Sequence, residues 1–295
     1  MRFVIGTRGS KLALAQAEYV QQKLQERYPE DEFELRIIKT KGDEIQNESL
    51  AAIGDKGLFV KEIERELLDG EIQLAVHSMK DMPAGLPAGL MLAKPWKRED
   101  PRDVLILRAA SSLAELPAGA RIATGSLRRK YQLLRLRPDL EVTDIRGNVE
   151  TRIRKMEEQG LDGIALAAAG LKRLHLEHRI TQYFTPEEMI PAPAQGVLAI
   201  EMKESREDVR AMLSLLEDEA DGCAVTAERQ FLSLMGGGCH LPVGAIGEMA
   251  GDEITLRVMY GDEMGEELVF AEVSGKDPAA VAKEAAECVK QKMKG

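Results

Sequence analysis

The chain predicts an α/β protein of two similar doubly wound halves followed by a small C-terminal α+β domain. Three observations predict it. The order strand, loop, helix, strand, helix, strand occurs once before residue 80 and again between residues 121 and 166. Two joins rich in helix and strand breakers, at 97–103 and 191–196, bracket the second occurrence. Beyond residue 250, two alternating strands and a closing helix replace the earlier pattern.

In the first half, Phe3-Val4-Ile5 is a short apolar strand, residues 6–10 turn, and Leu12, Ala15, Tyr19, Val20 and Leu24 recur at helical spacing. A strand over 35–39 and a helix over 57–68 follow, the helix stopped by Asp69-Gly70. Leu74-Ala75-Val76 is the continuous apolar run of a strand covered on both faces, and such strands present ligands at their carboxyl ends. Here that end is His77 to Asp81. Residues 42–57 lack either periodicity and predict a mobile lid.

The second half repeats this with a strand over 121–124, a helix through Leu133 and Leu136, a strand over 140–145, a helix over 149–158 and a strand within 161–166. A strand over 197–202 is expected to re-enter the first half. The domains then run 1–97 plus 197–216, 102–192, and 220–295. In the third, a helix through Val225, Phe231 and Leu232 ends at Gly236-Gly237-Gly238, placing Cys239 on a turn. Strands over 253–260 and 267–273 and a helix from Asp277-Pro278 complete it.

Composition excludes several classes. Against 40 Lys and Arg stand 50 Asp and Glu, a net charge of -10, which argues against nonspecific nucleic-acid binding. Three cysteines without Cys-x-x-Cys spacing predict neither a disulfide framework nor a zinc module, and no metal is expected. No apolar leader or membrane span is evident, so a cytoplasmic protein is expected.

Positive charge sits where a helix does not want it. A helix N-terminus is itself partly positive, so a cation there costs roughly 0.3–1 kcal/mol unless an anion lies between. Yet Arg8 and Lys11, Lys56 and Lys61, Arg128 to Lys130, and Arg146 and Arg152 flank four successive helix starts. The last helix, from Asp277 to Lys290 and Lys292, has the stabilising polarity. The biased starts follow strand ends and predict a cleft for several anionic groups, with Arg forks for carboxylates. Phosphate competes as the anion, but neither a P-loop nor a dinucleotide fingerprint is present. Taken by residue alone, Asp81 is equally a loop cap or a partner of Lys80, and Cys239 a small buried hydrophobe. A noncatalytic anion clamp and a Cys239–His240 hydrolase are the rival readings.

His77-Ser78-Met79-Lys80-Asp81, Ser126-Leu127-Arg128-Arg129 and Gly236-Gly237-Gly238-Cys239 resemble the porphobilinogen deaminase (hydroxymethylbilane synthase) family, and the resemblance spans nearly the whole chain. It implies a solute-binding-protein-like pair of domains with a third one added. The activity implied is stepwise head-to-tail condensation of four porphobilinogen molecules, with release of ammonia, to hydroxymethylbilane in tetrapyrrole (haem) biosynthesis. Cys239 would carry a dipyrromethane cofactor through a thioether. Arg8, Ser10, Lys56, Ser78, Lys80, Thr124, Ser126, Arg128, Arg129, Arg146, Arg152 and Arg173 would bind cofactor and substrate carboxylates. Asp81 would be catalytic, accepting hydrogen bonds from pyrrole nitrogens. His77 is given no catalytic role, and a monomer is expected.

Overall fold

The computed structural model describes residues 1–40, 60–83, 85–236, 241–262, 264–265 and 267–294. The predicted lid, 42–57, lies outside the described residues. Along the chain come β1 (Arg2–Thr7), α1 (Lys11–Arg27), β2 (Glu32–Ile37), α2 (Lys61–Asp69), β3 (Leu74–Ser78) and β4 (Leu90–Leu92). Next are β5 (Asp103–Leu107), β6 (Arg121–Ala123), α3 (Leu127–Leu136), β7 (Glu141–Thr143), α4 (Val149–Glu158), β8 (Gly163–Ala167), α5 (Ala168–Arg173) and β9 (Gln182–Tyr183). The chain ends with β10 (Leu198–Lys203), α6 (Glu207–Ser214), α7 (Glu219–Leu234), β11 (Val243–Ala250), β12 (Glu253–Gly261), β13 (Leu268–Gly275) and α8 (Pro278–Lys292).

These elements gather into two compact units, Met1–Arg98 with Val197–Gly222 and Glu99–Gly196 with Cys223–Gly295. The first is built on a five-stranded sheet of order β2-β1-β3-β10-β4. In it β1 is parallel to β2 and β3, while β10 is antiparallel to both β3 and β4. The strand over 197–202 does return to the first half. Leu74 and Val76 of β3 pack with Val20 and Leu24 of α1 and Val209 and Leu213 of α6, whereas Ala75 packs with Ile63 and Leu67 of α2. Alternation along β3 therefore serves two cores, which is why the run reads as continuously apolar.

The sheet of the second unit has order β7-β6-β8-β5-β9, with β6 parallel to β7 and β8, and β5 antiparallel to β8 and β9. Position by position this is the order and sense of the first sheet. The same unit carries the C-terminal sheet β11-β12-β13, whose inner face packs on Phe231 of α7 and on Val281, Ala285 and Val289 of α8.

The second strand runs Glu32–Ile37 rather than 35–39, because the ladder to β1 begins at Arg2 opposite Glu32 and Phe33 stacks on Phe3 with ring centres 5.4 Å apart. Four strands lay hidden from the pattern: β4, β5, β9 and β11. β5 begins inside the join assigned to 97–103, and β11 is interrupted by Gly244 and Gly247. Among the described residues no helix is long and apolar enough to cross a membrane.

Candidate active site

At the carboxyl end of β3 the chain turns through a short 3-10 segment, Met79–Asp81. Met79 and Met82 are 2% and 4% exposed and plug the turn into the core, while Asp81 between them is exposed. The turn is fixed from two further directions. The Met79 N–H donates to the Val197 carbonyl at 3.0 Å, extending the β3–β10 ladder by one rung. From α1, Gln16 Nε2 donates to Ser78 Oγ at 2.8 Å. Beside this turn ends β1, whose Thr7 hydroxyl donates to the Ala13 carbonyl, and Ser10 caps α1 by accepting from the Ala13 N–H at 3.3 Å. Arg8 and Ser10, half-buried, thus follow the strand adjacent to the one that carries Ser78, Lys80 and Asp81.

His77 points to the α2 face of the sheet and is buried. Its Nε2 lies 3.2 Å from Glu201 Oε2 on β10. Glu201 is fully buried, and its other oxygen has no hydrogen-bond partner among the described residues. Burial pushes the nearby Glu64 carboxyl up, and the Glu201 charge pushes it further. His77 is thus a histidine paired with Glu201 behind the Met79–Asp81 turn rather than a group on it.

In the second unit the loop from β6 to α3 repeats the first. Thr124 is buried at the strand end, its hydroxyl accepts from the Ser126 N–H at 3.2 Å, and Ser126 caps α3 by accepting from the Arg129 N–H at 3.4 Å. Arg128 and Arg129 then turn their forks inward onto Asp103 of β5. Arg128 uses Nη1 and Nη2, Arg129 donates from Nε at 2.8 Å, and Gln195 Nε2 adds a bond at 2.9 Å. Asp103 is fully buried and the two arginines are 4% and 6% exposed. Burial alone would push the Asp103 carboxyl up, but the charges of Arg128 and Arg129 outweigh it and hold the group below the ordinary carboxylate range. The anion that the cations at this helix start require is therefore supplied in part by the chain itself.

Arg146, exposed, donates to Asp144 at 2.9 Å, and half-buried Arg152 donates to the Gly147 carbonyl at 2.6 Å. Gly147 has φ 118°, and a side chain there would run into Thr151, so this turn before α4 requires glycine. Arg173 Nη2 donates to the Gly196 carbonyl at 2.7 Å. The cation bias holds at α1 and α3, whose first turns carry no acid, but α2 opens with Glu62 and Glu64 and α4 with Glu150. Lys56 and Cys239 lie outside the described residues.

Two family models cover the chain. That of the porphobilinogen deaminase dipyromethane cofactor binding domain matches residues 3–211, and that of the porphobilinogen deaminase C-terminal domain matches residues 223–294. The chain belongs to the porphobilinogen deaminase family. A porphobilinogen deaminase of Lachnospira eligens is 56% identical over 97% of this chain and 98% of its own. One of Clostridioides difficile is 53% identical over 93% and 92% respectively. Among solved structures, the periplasmic VFT2 domain of Bordetella pertussis BvgS aligns with a TM-score of 0.42 at 15% identity, over 78% of this chain and 91% of that one.

As a member of the porphobilinogen deaminase family the chain is an enzyme of tetrapyrrole biosynthesis, acts on porphobilinogen and uses dipyrromethane. The residues present fit a cofactor rich in carboxylates. At the start of α3 two arginines face one aspartate, so the cluster keeps a net positive charge where the helix dipole adds to it. The residues that complete these clusters, Asp103, Gln195 and Glu201, were not anticipated from sequence. Asp103 opens an apolar run, Val104 to Leu107, and that run was the available signal.

Proposed function

We propose that Asp81 is the catalytic carboxylate of the porphobilinogen condensation and that Cys239 holds the dipyrromethane. In the same reading Arg8, Ser10, Lys56, Ser78 and Lys80 of one unit, and Thr124, Ser126, Arg128, Arg129, Arg146, Arg152 and Arg173 of the other, bind acetate and propionate carboxylates. When bound, dipyrromethane supplies the free pyrrole α-carbon to which the first porphobilinogen is joined. Loss of ammonia from porphobilinogen leaves a cationic methylene conjugated with its ring nitrogen. Asp81 accepts a hydrogen bond from that nitrogen and stabilises the charge as it develops, an interaction that strengthens as water is excluded.

The observation that carries the reading is an exposed carboxylate on a turn plugged by Met79 and Met82 and tied to α1 and β10. A group held this way needs little reorganisation when charge appears. Ser10 and Ser126 each accept a backbone N–H as helix caps, and each hydroxyl proton remains chemically suited to donate to an anion. Arg128 and Arg129 act as a cationic cluster balanced in part by Asp103. The net charge of -10 and the sparse, unpatterned cysteines support a cytoplasmic enzyme that does not bind nucleic acid, and the family resemblance supports a monomer.

Asp81→Asn tests the assignment, because it keeps shape and loses the anion. Single-turnover condensation is expected to slow by at least ~10²-fold, the scale of losing one preorganised electrostatic contact. Intact mass is expected to show that covalent dipyrrole is retained. Near-normal single-turnover rates would remove Asp81 from the chemistry.

A further inference from the structure

The join at 191–196 is held far more tightly than its Pro-Ala-Pro-Ala composition suggests. Ala194 is fully buried with φ 58°, in the left-handed region that an L side chain keeps only where its surroundings over-determine it. The over-determining group is Glu228 of α7, itself fully buried. Its Oε2 accepts from the Ala194 N–H at 2.6 Å and its Oε1 from the Gly247 N–H of β11 at 2.8 Å. Only a group with acceptors alone satisfies both; an amide there would turn a donor toward a donor. Gly247 makes this reach feasible, since a Cβ at that position would lie 3.0 Å from the Ala224 backbone of the same helix.

Three arginines contact the chain immediately around Ala194. Arg128 donates to the Ile190 carbonyl at 2.7 Å, Arg129 to Gln195 Oε1 at 3.4 Å, and Arg173 to the Gly196 carbonyl at 2.7 Å. Gln195 in turn bonds Asp103 and, at 2.8 Å, the Pro101 carbonyl. A change at Ala194 therefore reaches all three cations through at most two bonded neighbours.

We infer that Glu228 is a positioning residue, which by fixing the left-handed turn at Ala194 sets the placement of Arg128, Arg129 and Arg173 toward substrate carboxylates. The inference rests on the reading of those arginines as carboxylate contacts. A role in stability alone would lower the melting temperature and leave KM where it is. Positioning raises KM for porphobilinogen and leaves kcat, governed by Asp81, nearly in place.

The test compares steady-state kinetics of the holoenzyme in Glu228→Gln, Glu228→Gln with Ala194→Gly, and Arg173→Leu. Glu228→Gln is expected to raise KM about tenfold with kcat within about threefold, in keeping with the sensitivity of binding geometry to small displacements. Glycine holds a positive φ without steric cost, so adding Ala194→Gly is expected to recover most of that rise. Where Glu228→Gln does not fold, Glu228→Asp is measured in its place, with acceptors kept but withdrawn by one methylene, and the same rise and rescue are expected. An unchanged KM, or a raised KM that glycine does not lower, overturns the inference. Arg173→Leu separates the two claims: a normal KM there overturns the arginine reading and the clamp with it, whereas a raised KM there beside a normal one in the Glu228 variant overturns the clamp alone.

Discussion

At Asp103 a fully buried carboxylate answers two arginines, and the consequence for mutation is asymmetric. Removing one partner of a buried ion pair leaves the other charged and desolvated, which costs about 3–5 kcal/mol. Asp103→Ala is therefore expected to destabilise the protein by that amount, and Arg128→Leu to do nearly the same while also impairing carboxylate binding. Urea unfolding of the two variants checks the first statement, and covalent dipyrrole content by intact mass checks the second. An Asp103→Ala protein as stable as the parent would mean that the arginines find other partners. None of this was legible in the sequence. Arg128 and Arg129 drew notice by standing at the wrong end of a helix, but their counter-ion lies 25 residues upstream on a strand whose first residue sits in a breaker-rich join. The turn that carries Asp81 was legible because an apolar strand before it and Pro83 after it mark a strand end by local chemistry, while the role expected of Asp81 came from the family resemblance.

Among the elements, those with chemical punctuation were placed well and those without it were not. The helix Val149–Glu158 has Asn148 as its cap, accepting from the Thr151 N–H at 2.8 Å, and the last helix has Asp277 accepting from Ala280 at 2.8 Å with proline next. β5 and β11 have no such marks, and their existence depends on partners distant in sequence. The capped start of α3 carries a testable consequence. Ser126→Ala removes the acceptor for the Arg129 N–H and is expected to cost about 0.5–2 kcal/mol. Because the same residue precedes the arginine pair, KM for porphobilinogen is expected to rise as well. Thermal melting and kinetics on the one variant check both, and a lowered melting point with unchanged KM would confine Ser126 to its capping role.

For the molecule as a whole, acid sensitivity follows from carboxylates held charged by arginine. Asp100 is opposed by burial, yet hydrogen bonds from Arg102 and Lys172 hold its carboxyl at about 2, and Asp103 is depressed in the same direction. A carboxylate whose folded value lies below its unfolded value of ~3.9 contributes fully above that pH and loses the contribution as pH falls through the folded value. Stability is therefore expected to decline from about pH 4 toward the Asp100 value of about 2. Glu64 works with the opposite sign, because its raised carboxyl favours the folded state while protonated. Urea midpoints measured across pH 6 to 2 in the parent and in Asp100→Asn check this: the variant is expected to show a shallower decline, and parallel curves would exclude Asp100 as a source.

The two sheets share one strand order but not one order of synthesis. In the five-stranded sheet of the second unit every strand comes from a continuous stretch, Asp103 to Tyr183, so that sheet can close as soon as this stretch has left the ribosome. In the first unit β3 and β4 are joined only through β10, which is made after that stretch is complete. Until Leu198–Lys203 emerges, the apolar edge of β3, with Leu74 and Val76, has no neighbour on that side. Domains usually mature from the amino end during translation. Here the later-made sheet finishes first, and the amino-terminal one waits through roughly 120 further residues of growth with an open strand edge, the kind of feature that invites chaperone attention.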